Sequence, residues 1–126
     1  MAAALHLRRT FAVANIGPWC ESSRVEMSRF ESLARRLDGV RVRTENGLLD
    51  CRCHGRLVAR QIDATHVVIR CSFDVRGLML DQFPTTFEVP ARFAKHMMVV
   101  ADLRDGDPGA VEDALVAAWR LQCGGG

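Results

Sequence analysis

Tyrosine is absent from this 126-residue chain, and lysine occurs only at Lys95, so every other one of the 17 basic side chains is arginine. The loss of lysine removes the flexible point charge and leaves planar guanidinium forks suited to phosphate and carboxylate. The same bias arises from GC-rich coding, so by itself it names no ligand. No run of residues approaches the roughly 18 apolar positions of a membrane-spanning helix. No Walker-type loop and no G-x-G-x-x-G is present, which excludes the nucleotide cradles built on those motifs. Five cysteines, at 20, 51, 53, 71 and 123, are an odd number without a repeated spacing. That is unlike the disulfide framework of a small secreted protein and leads to the expectation of a reducing cytoplasm. A net charge of +2 and a pI near 8.4 exclude a strongly basic nucleic-acid-binding composition.

What is present describes one ordinary domain. The length allows a single core, and 48% apolar with 25% charged residues is a globular composition. Residues 1–26 read as an N-terminal extension: nothing acidic precedes Glu21, Arg8-Arg9 leads into a modestly apolar stretch, and Gly17-Pro18 ends it. A twin-arginine or transit signal has that beginning but lacks a clear cleavage site here, so a dispensable extension or an early start codon is the preferred reading. A single domain is expected over 27–123, with 124–126 a flexible glycine tail.

Within the domain, Met27, Phe30, Leu33, Ala34 and Leu37 lie at helical spacing, and Asp38-Gly39 closes the helix. Val40–Arg43 alternates valine with arginine, and Asn46-Gly47 is a turn signal. A three-strand meander follows at about 48–54, 56–62 and 65–71, turning at His54-Gly55 and Asp63-Ala64. Asp74–Gln82 reads as a helix capped by Asp74, with Val75, Leu78 and Met79 buried. The segment from Phe83 to Leu103, punctuated by Pro84 and Pro90, reads as edge strand, loop and central strand. Asp107-Pro108 then opens a helix over Ala110–Leu121, with Val111, Leu115, Ala118 and Trp119 on its apolar stripe.

Few residues in this pattern point to chemistry. Cys51-x-Cys53-His54 has metal-binding residue types. Strand alternation sends His54 to the face opposite the two cysteines, so core cysteines and no metal are expected. None of His6, His54, His66 and His96 sits in a nucleophile context, and Asp102, Asp105 and Asp107 surround a solvated turn. The chain is therefore expected to be non-enzymatic and to need no cofactor. The arginines are more informative. If the apolar alternates face the helices, Arg41, Arg43, Arg52, Arg56, Arg60 and Arg70 share the uncovered sheet face, with Asp50 the only acid among them. His54, His66, Val58 and Val68 join them. Such a face suits weak, non-specific contact with DNA phosphates. Simple solvation of an open sheet explains the same pattern, and the rival function is an interaction module that holds a protein or an acidic small molecule on this face or in the groove beside the Thr85–Lys95 loop.

The order helix, three-strand meander, helix, two strands, helix resembles the YjbR/MmcQ family of small bacterial proteins over about Met27–Gln122. The residues that carry the resemblance are Ala34–Val40, Leu49–Ala59 around Arg52 and Gly55, Pro84–Pro90, the Met98–Leu103 strand, and Ala117–Leu121. The resemblance implies an α+β fold with helices packed on one face of an antiparallel sheet. It also implies the label DNA-binding that is commonly attached to this family. Phe93-Ala94 and Met97-Met98 depart from the family pattern in the region after the second proline.

Overall fold

A computed structural model describes residues 23–124, with side chains described from Met27 onward. The expectations for the first 22 residues, and for the last two glycines, lie outside the described residues. Helix α1, Ser23–Arg36, begins four residues before the expected start, inside the segment read as extension. Phe30 and Ala34 are buried along its apolar stripe, while Arg35 and Glu31 pair at i, i+4 on the solvent side. Gly39 reverses the chain with φ +82°. A Cβ there would lie 3.2 and 3.3 Å from the sulfurs of Cys123 and Cys53, so both the backbone angle and the close approach call for glycine.

Four strands then form a meander: β1 Val40–Glu45, β2 Leu48–Cys53, β3 Arg56–Gln61 and β4 His66–Arg70. The alternating Val40–Arg43 segment thus adds a strand to the three expected. Asn46-Gly47 and His54-Gly55 are two-residue hairpin turns with positive φ at all four residues, the backbone that matches the twist of the flanking strands. At the third turn Asp63 Oδ1 accepts the backbone N–H groups of Thr65 and His66. These bonds, led by the one from Thr65, hold its carboxyl below the usual carboxylate range.

Helix α2 spans Phe73–Gln82 and is capped by Ser72, whose Oγ accepts Val75 N–H, rather than by Asp74. It has no fully buried residue, and Leu78, expected inside, is exposed along with Phe73. Strand β5, Phe87–Glu88, forms the sheet edge, and β6, Met98–Asp102, lies next to it, as the edge, loop and central pattern predicts. A single 3₁₀ turn, Ala91–Phe93, lies between them. Helix α3, Pro108–Trp119, starts with Asp107 accepting Gly109 N–H and runs into a π-helical turn over Arg120–Gly124.

The result is an α+β fold with a six-stranded antiparallel sheet in the order β1-β2-β3-β4-β6-β5. The inward residues of the sheet, among them Cys51, Cys53, Ala59, Val67, Ile69, Val99 and Ala101, form one cluster with side chains from all three helices. Register is interrupted once. Cys51 pairs with Ala59 but Arg52 pairs with Leu57, which leaves Val58 as an extra residue in β3. This bulge turns Val58 and Ala59 inward together, and both are fully buried. Val58 is therefore a core residue and does not lie on the outer face.

The chain end is tied back to the α1–β1 turn. Cys53 and Cys123 form a disulfide across 70 residues, which corrects the expectation that Cys53 is a core thiol. Spacing along the chain carried no sign of it, because the two residues meet only once α3 has crossed the sheet. Trp119 Nε1 donates to Asp38 O at 2.8 Å, and Gln122 Nε2 donates to Leu57 O at 2.7 Å. By chain entropy alone, a cross-link over a loop of this length stabilises a fold by about 4 kcal/mol. Denaturant melts with and without reductant are expected to differ by an amount of that order, and Cys123→Ser should melt like the reduced wild-type protein.

Candidate functional site

Strand register decides which arginines share a surface, since residues directly opposite across an antiparallel pair project to the same side. Arg41 faces Arg52, Arg43 faces Asp50, and Asp50 in turn faces Arg60. Arg60 faces Val68, which faces Val100. Arg41, Arg43, Arg52 and Arg60 thus occupy the outer face of β1–β3, as expected, and Arg70 follows two residues beyond Val68. Arg56 does not join them. Beyond the bulge it lies opposite Cys53, on the side of the sheet that carries the helices. The half-buried Leu57 takes the outer position instead.

Asp50 is the anchor of this face. It is buried, its side chain only 6% exposed, and it is held by Arg52 through Nε to Oδ1 at 2.8 Å and Nη2 to Oδ2 at 3.5 Å. Arg52 also donates to Gly55 O, so its guanidinium is committed to the scaffold. Arg41, Arg43 and Arg60 are exposed and form no ion pair or side-chain hydrogen bond with the described residues. Arg70 has the right direction but is half-buried, with its Nε shielded and unbonded. Asp50 is not the only acid on the face. Glu45 continues the alternation of β1 and lies opposite Leu48.

The outer face is also less open than strand alternation implies. Val68 and Val100 project outward yet are 1% and 3% exposed. Arg92 and Phe93 line one cavity of about 390 Å³ with Leu48, Asp50, Arg60 and Ile62, which sets the turn after Pro90 beside β2 and β3. Arg76 of α2 holds that segment. Its Nη1 donates to His96 O at 2.8 Å, with longer contacts to Phe93 O and Met98 O, and its Nη2 donates to Ala94 O at 3.0 Å. No residue pattern announces this clamp, because its four acceptors are main-chain carbonyls converging on one guanidinium. Arg92, with its guanidinium 4.7 Å from the centroid of the Phe93 ring, adds a cation the strand pattern missed. The two histidines assigned to this face separate. His54 is in the β2–β3 turn with φ +54°, and His66 turns its Nδ1 to Asp63 Oδ1 at 3.0 Å.

The remaining described thiols, Cys51 and Cys71, are buried. Burial pushes Cys51 up to about 12 and Cys71 up to about 11, so neither is a thiolate near neutral pH. No family model, curated protein or solved structure matches the chain.

Two outcomes follow from this geometry. Replacing Arg52 with alanine leaves the Asp50 carboxylate buried without its closest partner and should cost about 1–3 kcal/mol in a denaturant melt. Arg43→Ala, on the exposed side of the same carboxylate, should stay within about 0.5 kcal/mol of wild type. Cys51 and Cys71 are expected to resist alkylation in the folded protein at pH 7, and to react only as the pH nears their raised values or the chain unfolds.

Proposed function

We propose that this chain is a small non-enzymatic protein of the YjbR/MmcQ type that binds nucleic acid weakly, and without sequence preference, through the outer face of β1–β3. The observation that carries this reading is the trio Arg41, Arg43 and Arg60, exposed, unpaired among the described residues and sharing one surface. Residues two apart on a strand, or two strands apart across a sheet, are about 7–10 Å from each other. That interval is about two to three phosphates of axial rise along one strand of nucleic acid. Guanidinium groups at such spacing neutralise a backbone without reading bases, and no described helix projects from this face to enter a groove. The reading takes the chain as a cytoplasmic protein.

A second reading has its own support in the cavity between the sheet and Arg92-Phe93. A volume of about 390 Å³, flanked by Arg60 and Arg92 and floored by Leu48 and Ile62, lies within the range of small-molecule sites. An acidic small molecule, or an acidic side chain of a partner protein, would satisfy the same two arginines.

Titration of fluorescent duplex and single-stranded oligonucleotides across a salt series separates the two. The first reading expects roughly micromolar binding at low salt, with a log–log salt slope of about −2 to −3 for three phosphate contacts. It also expects loss of binding in Arg43→Glu/Arg60→Glu, a variant that leaves the Arg52–Asp50 pair intact. Absence of binding at low salt would sink it. Binding of a small carboxylate or phosphate compound that Arg92→Ala removes, without oligonucleotide binding, would favour the second.

A further inference from the structure

The turn that closes β2 onto β3 does what an undistorted strand cannot. In a regular strand His54 would project away from Cys53. Here His54 has φ +54° and is followed by Gly55 at +81°, so the chain reverses at the histidine. A ring nitrogen of His54 and the sulfurs of Cys53 and Cys123 all come within 4.8 Å of one another. The three residues come from a hairpin turn and from the last helical turn of the described chain, and their Cα positions at 53 and 123 are 5.5 Å apart. Gly39 adds no side chain behind the sulfurs, and Asp38 O lies 3.5 Å from Cys123 Sγ.

We propose that Cys53, Cys123 and His54 form a redox-gated zinc site, closed as a disulfide and open to one Zn²⁺ when reduced. Two thiolates and an imidazole are a donor set that zinc accepts, with water in the fourth tetrahedral position. Zinc–sulfur bonds of about 2.3 Å place two thiolates about 3.8 Å apart. The sulfurs must therefore separate from bonded contact by side-chain rotation, which the Cα spacing permits. The gating step is thiol–disulfide exchange with a dithiol reductant. A thiolate of the reductant attacks one sulfur, a mixed disulfide forms, and the second reductant thiol resolves it. Two electrons pass to the Cys53–Cys123 bond, the reductant leaves as its own disulfide, and two thiols remain. Binding of Zn²⁺ then releases two protons from those thiols. Metal binding in the reduced state keeps the 120–124 turn attached to the β2–β3 hairpin, as the disulfide does in the oxidised state. The site is on the helix-bearing side of the sheet and is independent of the arginine face.

Zinc competition against a chromogenic chelator tests this in the full chain with Cys20→Ser, which removes the one thiol outside the described residues. The reduced protein is expected to bind one Zn²⁺ per chain, and the oxidised protein none. Substitution with Co²⁺ should give thiolate charge-transfer absorption and the visible bands of tetrahedral cobalt. Cys123→Ser should abolish binding. His54→Asn, a residue that tolerates the left-handed turn, should weaken binding and change the cobalt spectrum while the thermal melt without metal stays near that of reduced wild type. Cys51→Ser should bind as the parent does. A reduced protein with both thiols titratable that takes up no zinc overturns the proposal. So does zinc binding that survives Cys123→Ser, an unchanged cobalt spectrum in His54→Asn, or uptake of copper(I) alone.

Discussion

One inserted residue in β3 sets both surfaces of the sheet. With regular pairing, Val58 would face outward between Arg56 and Arg60, and the strand would present two arginines flanking an exposed valine on one side. The bulge opposite Cys51 and Arg52 turns Val58 in beside Ala59, where both are fully buried against the helices. The same shift sends Arg56 to the other side opposite Cys53 and brings Leu57 out beside Arg52. Burying Val58 is worth about 1.5–3 kcal/mol in transfer terms. The core gains a side chain, and the arginine cluster loses one member and keeps Arg60.

The outer face is organised by charges that serve different ends. Arg52 is half-exposed but spends its hydrogen bonds on Asp50 and on Gly55 O, so it works as scaffold. Arg76 does the same at the other end of the sheet, where its bonds to carbonyl groups add to the half-buried packing of Val75, Met79 and Leu80 on the core. Val68 and Val100 are buried, and the exposed arginines of the outer face lie on β1–β3 and at the edge of the cavity. Guanidinium groups suit both duties because one planar fork can serve several acceptors at once.

Much of the fold was legible in the sequence, and the reasons differ by element. The stripes of Phe30 and Ala34 and of Val111, Leu115 and Ala118 have helical period and are buried as that period demands. Asn46-Gly47 and His54-Gly55 fix their turns locally, through positive φ. The misses involve non-local forces. Leu78 has the right residue type for a core but lies on the exposed side of a helix that packs through Val75, Met79 and Leu80. The Cys53–Cys123 bond joins positions that only the finished fold brings together. At the site, alternation placed Arg41, Arg43, Arg52 and Arg60 on one face. It failed for Arg56, because a bulge has no signature in residue type, and it overlooked Arg92, which belongs to a loop with no period.

The charge on this face is kept local by the burial of its counter-ion. Arg41, Arg43, Arg52, Arg60 and Arg92 stand against Asp50 and Glu45, a local excess of three positive charges where the whole chain carries +2. Exposed charges farther apart than about 8 Å are largely screened at physiological salt. Acidic residues elsewhere on the molecule therefore do little to offset the cluster at its own surface. Asp50 is close enough to offset it, but as a buried carboxylate already bonded to Arg52 it fixes the geometry and leaves Arg41, Arg43 and Arg60 their full charge toward solvent. An anion approaching from outside meets those three first, which is how a nearly neutral protein comes to present one basic side.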